Sequence, residues 1–244
     1  MDCDVNSRND NPSKESFEPG AARFGNFINY YTFNSVSKRL QKIPSNLVLS
    51  FQKETVLCLD IGCNSGELTQ GLYSHLTKNL DTSLEVYILG IDLDETLITR
   101  CKESNNYEGH ITYQQMDIMS NTSVSQLESF LQKYNRTEFD LITCFSTTMW
   151  IHLNHGDNGL DNFLSTISKL GKYLLLEPQE WKSYKSALRR MTRLNREAFA
   201  LEKLKTRDIT NHLLQFLPQH GKNVYQCFGE TSWGRSLFLF QDSS

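Results

Sequence analysis

From Val56 onward the chain alternates short apolar runs with helical periods, and that alternation constrains its fold more than any other feature. The strand-like runs are VLCLD (56–60), VYILGID (86–92), ITYQQMD (111–117), FDLITCF (139–145) and YLLLEP (173–178). Between them lie segments such as ELTQGLYSHL and VSQLESFLQKY, whose apolar residues recur at helical spacing. Strands alternating with helices build parallel βαβ units, because a parallel neighbour is reached only by a long crossover. The last two runs, VYQCF (224–228) and SLFLFQ (236–241), are joined by GETSWGR alone. That is too short for a crossover, so an antiparallel hairpin is expected. The expected fold is an α/β, Rossmann-like, seven-stranded and mostly parallel sheet with a C-terminal antiparallel hairpin. At 244 residues one domain is expected, over 21–244. Residues 1–20 carry almost no apolar side chains and read as a disordered tail.

Several function classes drop out. No apolar run approaches the roughly 18–20 residues of a membrane helix, and the polar start MDCDVNSRND does not read as a signal peptide. Cys58 and Cys144 sit inside strand-like runs and read as buried reduced thiols, so a reducing compartment, cytoplasm or nucleus, follows, and a cytoplasmic protein is expected. The net charge of −3 conceals an asymmetry: Lys182 to Arg207 holds nine Lys/Arg against Glu197 and Glu202, a local +7 against −10 elsewhere. A mild overall charge can therefore hide a site for a polyanion.

The first strand runs into Asp60-Ile61-Gly62-Cys63-Asn64-Ser65-Gly66, and a helical period follows. Ligands in doubly wound sheets sit at the carboxyl ends of strands, and Gly62 and Gly66 let a backbone turn sharply beside one. The spacing is neither G-x-G-x-x-G nor G-x-x-x-x-G-K-[ST], so dinucleotide and nucleoside-triphosphate sites are not expected. D-x-G-x-x-x-G instead resembles the first motif of S-adenosylmethionine-dependent methyltransferases. Asp92 closes the second run, where a carboxylate can accept both hydroxyls of a ribose. Asp117 closes the third, where this fold resembles one that reads an adenine edge with the acid and the next N–H, Ile118. His152 and His155 form an H-x-x-H pair, but without a third ligand or an activating Glu no metal is expected.

Five stretches carry a more specific resemblance: FGNFINYY, LDIGCNSG, TTMWIHLNHGDNGL, LLLEPQEWKSY and TSWGRSLFLF. Together they resemble the bicoid-interacting family of RNA 5′-phosphate methyltransferases, over about Phe24 to Gln241. The resemblance implies a class I methyltransferase fold and S-adenosyl-L-methionine as methyl donor. One branch of the family carries Lys before the motif tryptophan; here Met149 precedes Trp150, which is similar to the branch acting on the 5′-monophosphate of small RNAs of tRNA or microRNA-precursor type. The family pattern implies cofactor contacts at Arg39, Asn64, Asp92, Asp117, Ile118 and Phe145, beside Asp60 and Gly62 of the first motif. It also implies an N-terminal helical lid over the cofactor, with Arg39 on the methionine carboxylate and Phe145 against the adenine. Tyr30, His152, Asn154 and Gln179 are the hydrogen-bond donors expected around the transferred methyl.

Lys182, Lys185, Arg189, Arg193 and Arg196 are spaced for one face of a helix that begins just after EPQEW. Beside an active-site strand, that face is the expected contact for the RNA backbone. A monomer is expected. Two rival readings stay open: a small-molecule or protein methyltransferase with the same cofactor, whose activity would be nearly insensitive to salt, and a non-catalytic scaffold of the same fold.

Overall fold

The protein was described through a computed structural model, covering residues 23–27, 30–51, 53–78 and 84–243. The tail expected over 1–20 lies outside the described residues. Seven strands form one sheet: β1 Thr55–Ile61, β2 Glu85–Asp92, β3 Ile111–Gln115, β4 Phe139–Phe145, β5 Gly171–Glu177, β6 Lys222–Glu230 and β7 Ser236–Asp242. Their order is β3-β2-β1-β4-β5-β7-β6, with the first five parallel and β7 antiparallel to both β5 and β6. The expected sheet and hairpin are therefore present.

Alternation along β1 sorts the core onto both faces, as the two-residue strand period requires. Leu57, Leu59 and Ile61 pack with Leu127, Phe163, Tyr184 and Leu213 on one side. Val56 and Cys58 pack with Leu40, Val48, Leu72 and Ile98 on the other. The first side is covered by α5 Ser123–Gln132, α6 Thr148–Leu170, α7 Trp181–Arg193 and α8 Ile209–Gln219. The second is covered by α2 Val36–Leu40, the 3₁₀ turn Leu47–Phe51, α3 Glu67–Thr77 and α4 Glu95–Glu103. A sheet buried on both faces explains why its strands read as nearly unbroken apolar runs.

Strand order reverses between β1 and β4, and the carboxyl ends of these strands open the crevice where such sheets bind ligands. Three local details differ from the sequence expectations. β3 stops at Gln115, so Asp117 lies two residues beyond it, in a turn where Oδ1 accepts the Met119 N–H at 2.8 Å. Among the described residues, the N-terminal aromatic cluster yields the four-residue helix α1 Tyr30–Phe33, followed by α2. The basic helix α7 ends at Arg193, so Arg196 cannot share its face. Asn195 adopts a left-handed φ of 52° and the Arg196 N–H closes onto Met191 O, the usual way a helix end satisfies its carbonyls.

Candidate active site

The loop after β1 is held by its neighbour strand: the N–H groups of Gly62 and Cys63 both donate to Ile91 O, at 2.9 and 3.0 Å. Gly62 has φ 77°, and a Cβ there would sit 2.2 Å from Thr147 Oγ1. Only glycine fits this turn. Asp92, at the end of β2, accepts the N–H of Asn64 at 2.9 Å and that of Asp94 at 3.0 Å. Burial pushes the Asp92 carboxyl up to about 6 against the lowering effect of those two donors. Asp60 is fully buried between Thr69 Oγ1 at 2.6 Å and Thr143 Oγ1 at 2.7 Å, and burial raises its pKa despite both donors. It braces the loop from beneath.

Residues 23–27 lie across the open end of this crevice. Asn64 Nδ2 donates to Phe27 O at 3.1 Å and Asn26 Nδ2 to Asp94 Oδ2 at 2.8 Å. At Gly25 a Cβ would stand 2.0 Å from the Trp150 indole nitrogen, so the segment is pressed onto that ring. The result is a set of three adjoining chambers with Trp150 in the wall of each. One, of about 280 Å³, is lined by Asp92, Met116, Asp117, Ile118 and Ile151. A narrow one of about 50 Å³ holds Asp60, Gly62, Asn64, Tyr31 and Phe145. The third, an open cleft of about 630 Å³, is lined by Tyr30, Gln179, Lys182, Arg190 and Arg235 among others. Tyr30 and Ser146 belong to both the narrow chamber and the cleft, so they stand at the junction.

A buried polar network ties that junction together. Arg39 sits over the Phe145 ring and pairs with Glu177, while its Nη2 donates to the Tyr30 hydroxyl at 3.3 Å. Burial disfavours the guanidinium charge, but the Glu177 carboxylate outweighs it and holds Arg39 cationic. Arg235 Nη1 donates to the same Tyr30 oxygen at 3.2 Å and to Ser146 Oγ at 2.5 Å. Ser146 itself has a left-handed φ of 58°, a costly conformation for a serine that the surrounding hydrogen bonds hold in place.

The four expected donors separate. Tyr30 and Gln179 reach the cleft; Gln179 is framed by the Met149 N–H, which it accepts at 3.1 Å, and by Ser146 O, to which its amide donates. His152 does not reach it. Its ring is fully buried, with Nδ1 against the Tyr184 hydroxyl at 3.0 Å and Nε2 against Asp157 at 3.1 Å. Burial lowers the His152 pKa, with Asp157 opposing that shift. The kink at Gly156 inside α6 brings Asp157 back onto the ring, where it also accepts the N–H groups of Lys205 and Thr206. Asn154 Nδ2 is bonded to Trp150 O and Arg23 O and serves the wall. His155 lines the 280 Å³ chamber, and among the described residues no cluster of metal-ligating side chains forms.

Of the basic residues, Lys182 lines the cleft, and Lys185, Arg189 and Arg193 follow on the adjoining outer stripe of α7. Sequence reasoning missed Arg190, which lies over the Phe27 ring at 4.3 Å, and Arg235 and Glu177. Arg235 was within reach as the one basic residue of TSWGRSLFLF, and Glu177 as the acid closing YLLLE.

Comparison with known proteins fits this geometry. The family described as Bicoid-interacting protein 3 (Bin3) matches residues 139–242, and a methyltransferase domain matches 59–172. The pre-miRNA 5′-monophosphate methyltransferase of Danio rerio is 46% identical, over 94% of this chain and 96% of its own. The RNA 5′-monophosphate methyltransferase of Homo sapiens is 41% identical over 91% of this chain and 82% of its own. Among solved structures, the N-methyltransferase NodS of Bradyrhizobium japonicum in complex with S-adenosyl-L-homocysteine superposes with a TM-score of 0.55 at 15% identity, covering 91% and 95% of the two chains. That likeness establishes the fold.

Proposed function

This chain belongs to the bicoid-interacting family of methyltransferases, and from that premise we propose that it methylates the 5′-monophosphate of small RNAs, using S-adenosylmethionine. The observation that carries the reading is the cleft beside the narrow chamber. Lys182, Arg190 and Arg235 line it, and no carboxylate does among the described residues. A dianionic phosphate is what such a wall accommodates.

The other chambers suit the methyl donor. Asp92 would take the ribose hydroxyls, and Asp117 with the Ile118 N–H would take the adenine edge. Arg39 Nη1 is buried without a partner, as are Asn26 Oδ1 and Ser65 Oγ, and an unpaired guanidinium nitrogen beside Phe145 fits a carboxylate. Residues 23–27 with α1 and α2 would act as the lid over one catalytic domain, proposed to run over 21–244. When bound, S-adenosylmethionine supplies a sulfonium methyl, which a phosphate oxygen takes as the carbon–sulfur bond breaks.

The protein's own task is orientation. A terminal phosphate has a second pKa near about 6, so its oxygen is already anionic at neutral pH and needs no strong base. The Tyr30 hydroxyl accepts from Arg39 and Arg235 together, which leaves its own proton free to donate. Arg235 and the second amide hydrogen of Gln179 would hold the remaining phosphate oxygens. Fixing the reactants in this way can supply about 7–11 kcal/mol of rate enhancement in well-oriented systems. His152 and Asn154 would contribute through the wall they support.

The RNA is proposed to be of tRNA or microRNA-precursor type, and the enzyme to act as a monomer in the cytoplasm. Four buried free thiols, Cys58, Cys63, Cys101 and Cys144, support a reducing compartment. The test is labelling with radioactive S-adenosylmethionine on RNA carrying either a 5′-monophosphate or a 5′-hydroxyl. Only the monophosphate should be labelled; transfer to 5′-hydroxyl RNA would show that a base or ribose is the target.

A further inference from the structure

The cleft is larger than its cationic end needs. At about 630 Å³ it has the size of a site for a whole small organic molecule, where a bare phosphate would leave most of it empty. Its inner end is polar, with Tyr30, Ser146, Gln179 and Arg235. Elsewhere its lining is different: it includes the exposed Phe33, the last residue of α1, and Ser183, Ser186 and Ala187 of α7. Phe33 is 81% exposed, against 38–51% for the other exposed large apolar residues among those described. The cleft's remaining aromatic rings are engaged. Phe27 packs edge-on against Trp150 and is covered by Arg190, and Tyr30 packs against Tyr31. Phe33 has no ring or cation partner among the described residues.

We infer that Phe33 is the stacking platform for the 5′-terminal nucleobase of the RNA. This rests on the functional reading above and extends it by naming what fills the mouth of the cleft. With the phosphate at the inner end, the attached nucleoside must lie toward the mouth. An exposed, unpartnered aromatic ring in a cleft whose lining also includes small side chains offers a face to a planar ring. The chain would then continue past Lys182 toward Lys185 and Arg189. Stacking of this kind tolerates every base, since each has a π-face, and so would hold the terminus without demanding one sequence.

The experiment is a two-by-two comparison. Wild type and Phe33→Ala are assayed on a 5′-monophosphate RNA and on the same RNA with an abasic first nucleotide, with Phe33→Trp as the conservative variant. Phe33→Ala should raise KM on the intact RNA roughly tenfold or more with little change in kcat. Removing the base should impose a similar loss on wild type and almost none on Phe33→Ala, and Phe33→Trp should behave as wild type. Cofactor affinity should stay constant throughout. An unchanged KM for Phe33→Ala, or equal losses on both RNAs, would overturn the inference while leaving the functional reading intact. Failure of wild type to label either RNA would sink that reading first, and this inference with it.

Discussion

Arg39 of α2 and Glu177 at the end of β5 meet as an ion pair with both side chains fully withdrawn from solvent, Nε to Oε2 at 2.5 Å and Nη2 to Oε1 at 3.2 Å. Glu177 also accepts Ser146 Oγ at 3.1 Å and Trp233 Nε1 at 3.0 Å, and Arg235 stands 3.6 Å from it. One carboxylate thus joins the segment over the crevice, the narrow chamber and the wall of the cleft.

Glu177→Gln should therefore be costly. Removing one partner leaves a buried guanidinium without its counter-charge, a loss of about 3–5 kcal/mol. For a domain of this size that lowers Tm by about 10 °C. Arg39→Met combined with Glu177→Leu should recover part of the melting temperature, because the fully buried guanidinium is no longer stranded although Arg235, Ser146 and Trp233 lose their acceptor, yet should bind no S-adenosylmethionine. Calorimetry and thermal melts on the three variants check this. Recovery of cofactor binding in the double variant would remove Arg39 from the site.

If Asp92 holds the ribose as proposed, cofactor binding should depend on pH. Burial raises its pKa to about 6, so the carboxylate proposed to accept the ribose hydroxyls is mostly ionised at pH 7 and mostly neutral at pH 5. Affinity for S-adenosylmethionine should fall roughly tenfold between those values, since the ionised fraction falls from about nine-tenths to about one-tenth. Stability moves the other way. With a folded pKa above the unfolded value of about 4, ionised Asp92 costs the fold most above pH 6, and the cost fades as pH falls toward 4. Asp92→Asn should flatten the affinity profile, and Asp92→Ala should abolish detectable binding. Titration calorimetry at three pH values measures both.

Gly62→Ala meets two separate obstacles, a left-handed φ and a Cβ only 2.2 Å from Thr147 Oγ1. It should lose cofactor affinity and about 2 kcal/mol or more of stability through overpacking and strain. Adding Thr147→Ala removes the 2.2 Å clash with Oγ1 but keeps a Cβ at 3.2 Å and the backbone cost of about 1–2 kcal/mol, so recovery should be partial. Chemical denaturation of single and double variants separates the two. Full recovery would show that φ is not limiting.

Replacing Lys185, Arg189 and Arg193 with Gln should weaken RNA binding and flatten the slope of log K against log salt by about 2–3. Cofactor affinity should not move, because these side chains lie on the outer stripe of α7. Arg196→Gln should be separable from this set, since the chain leaves the helix before it. A salt slope unchanged in the triple variant would place the RNA path elsewhere.

What the sequence determined by itself is local. Asp60, Gly62, Asn64 and Gly66 lie within seven residues that join a strand to a helix, and the turn they need is written in their own backbone preferences. Asp92 was legible because a strand's end is set by the same apolar run that defines the strand. Only the tertiary structure could decide the rest. Glu177, Arg235 and Tyr30 share one network although 205 residues separate Tyr30 from Arg235, because β7 inserts beside β5 and brings the loop before it over the end of β4. Their meeting depends on strand order, which no local pattern encodes. His152 shows the same limit in reverse. Its motif marks it for the site, but the kink at Gly156 turns Asp157 onto its ring and seals it in the core. Spacing placed Arg196 on a helix face, and a single left-handed Asn195 removed it. Periodicity tells which way a side chain points within an element, whereas the site is made where elements end and meet.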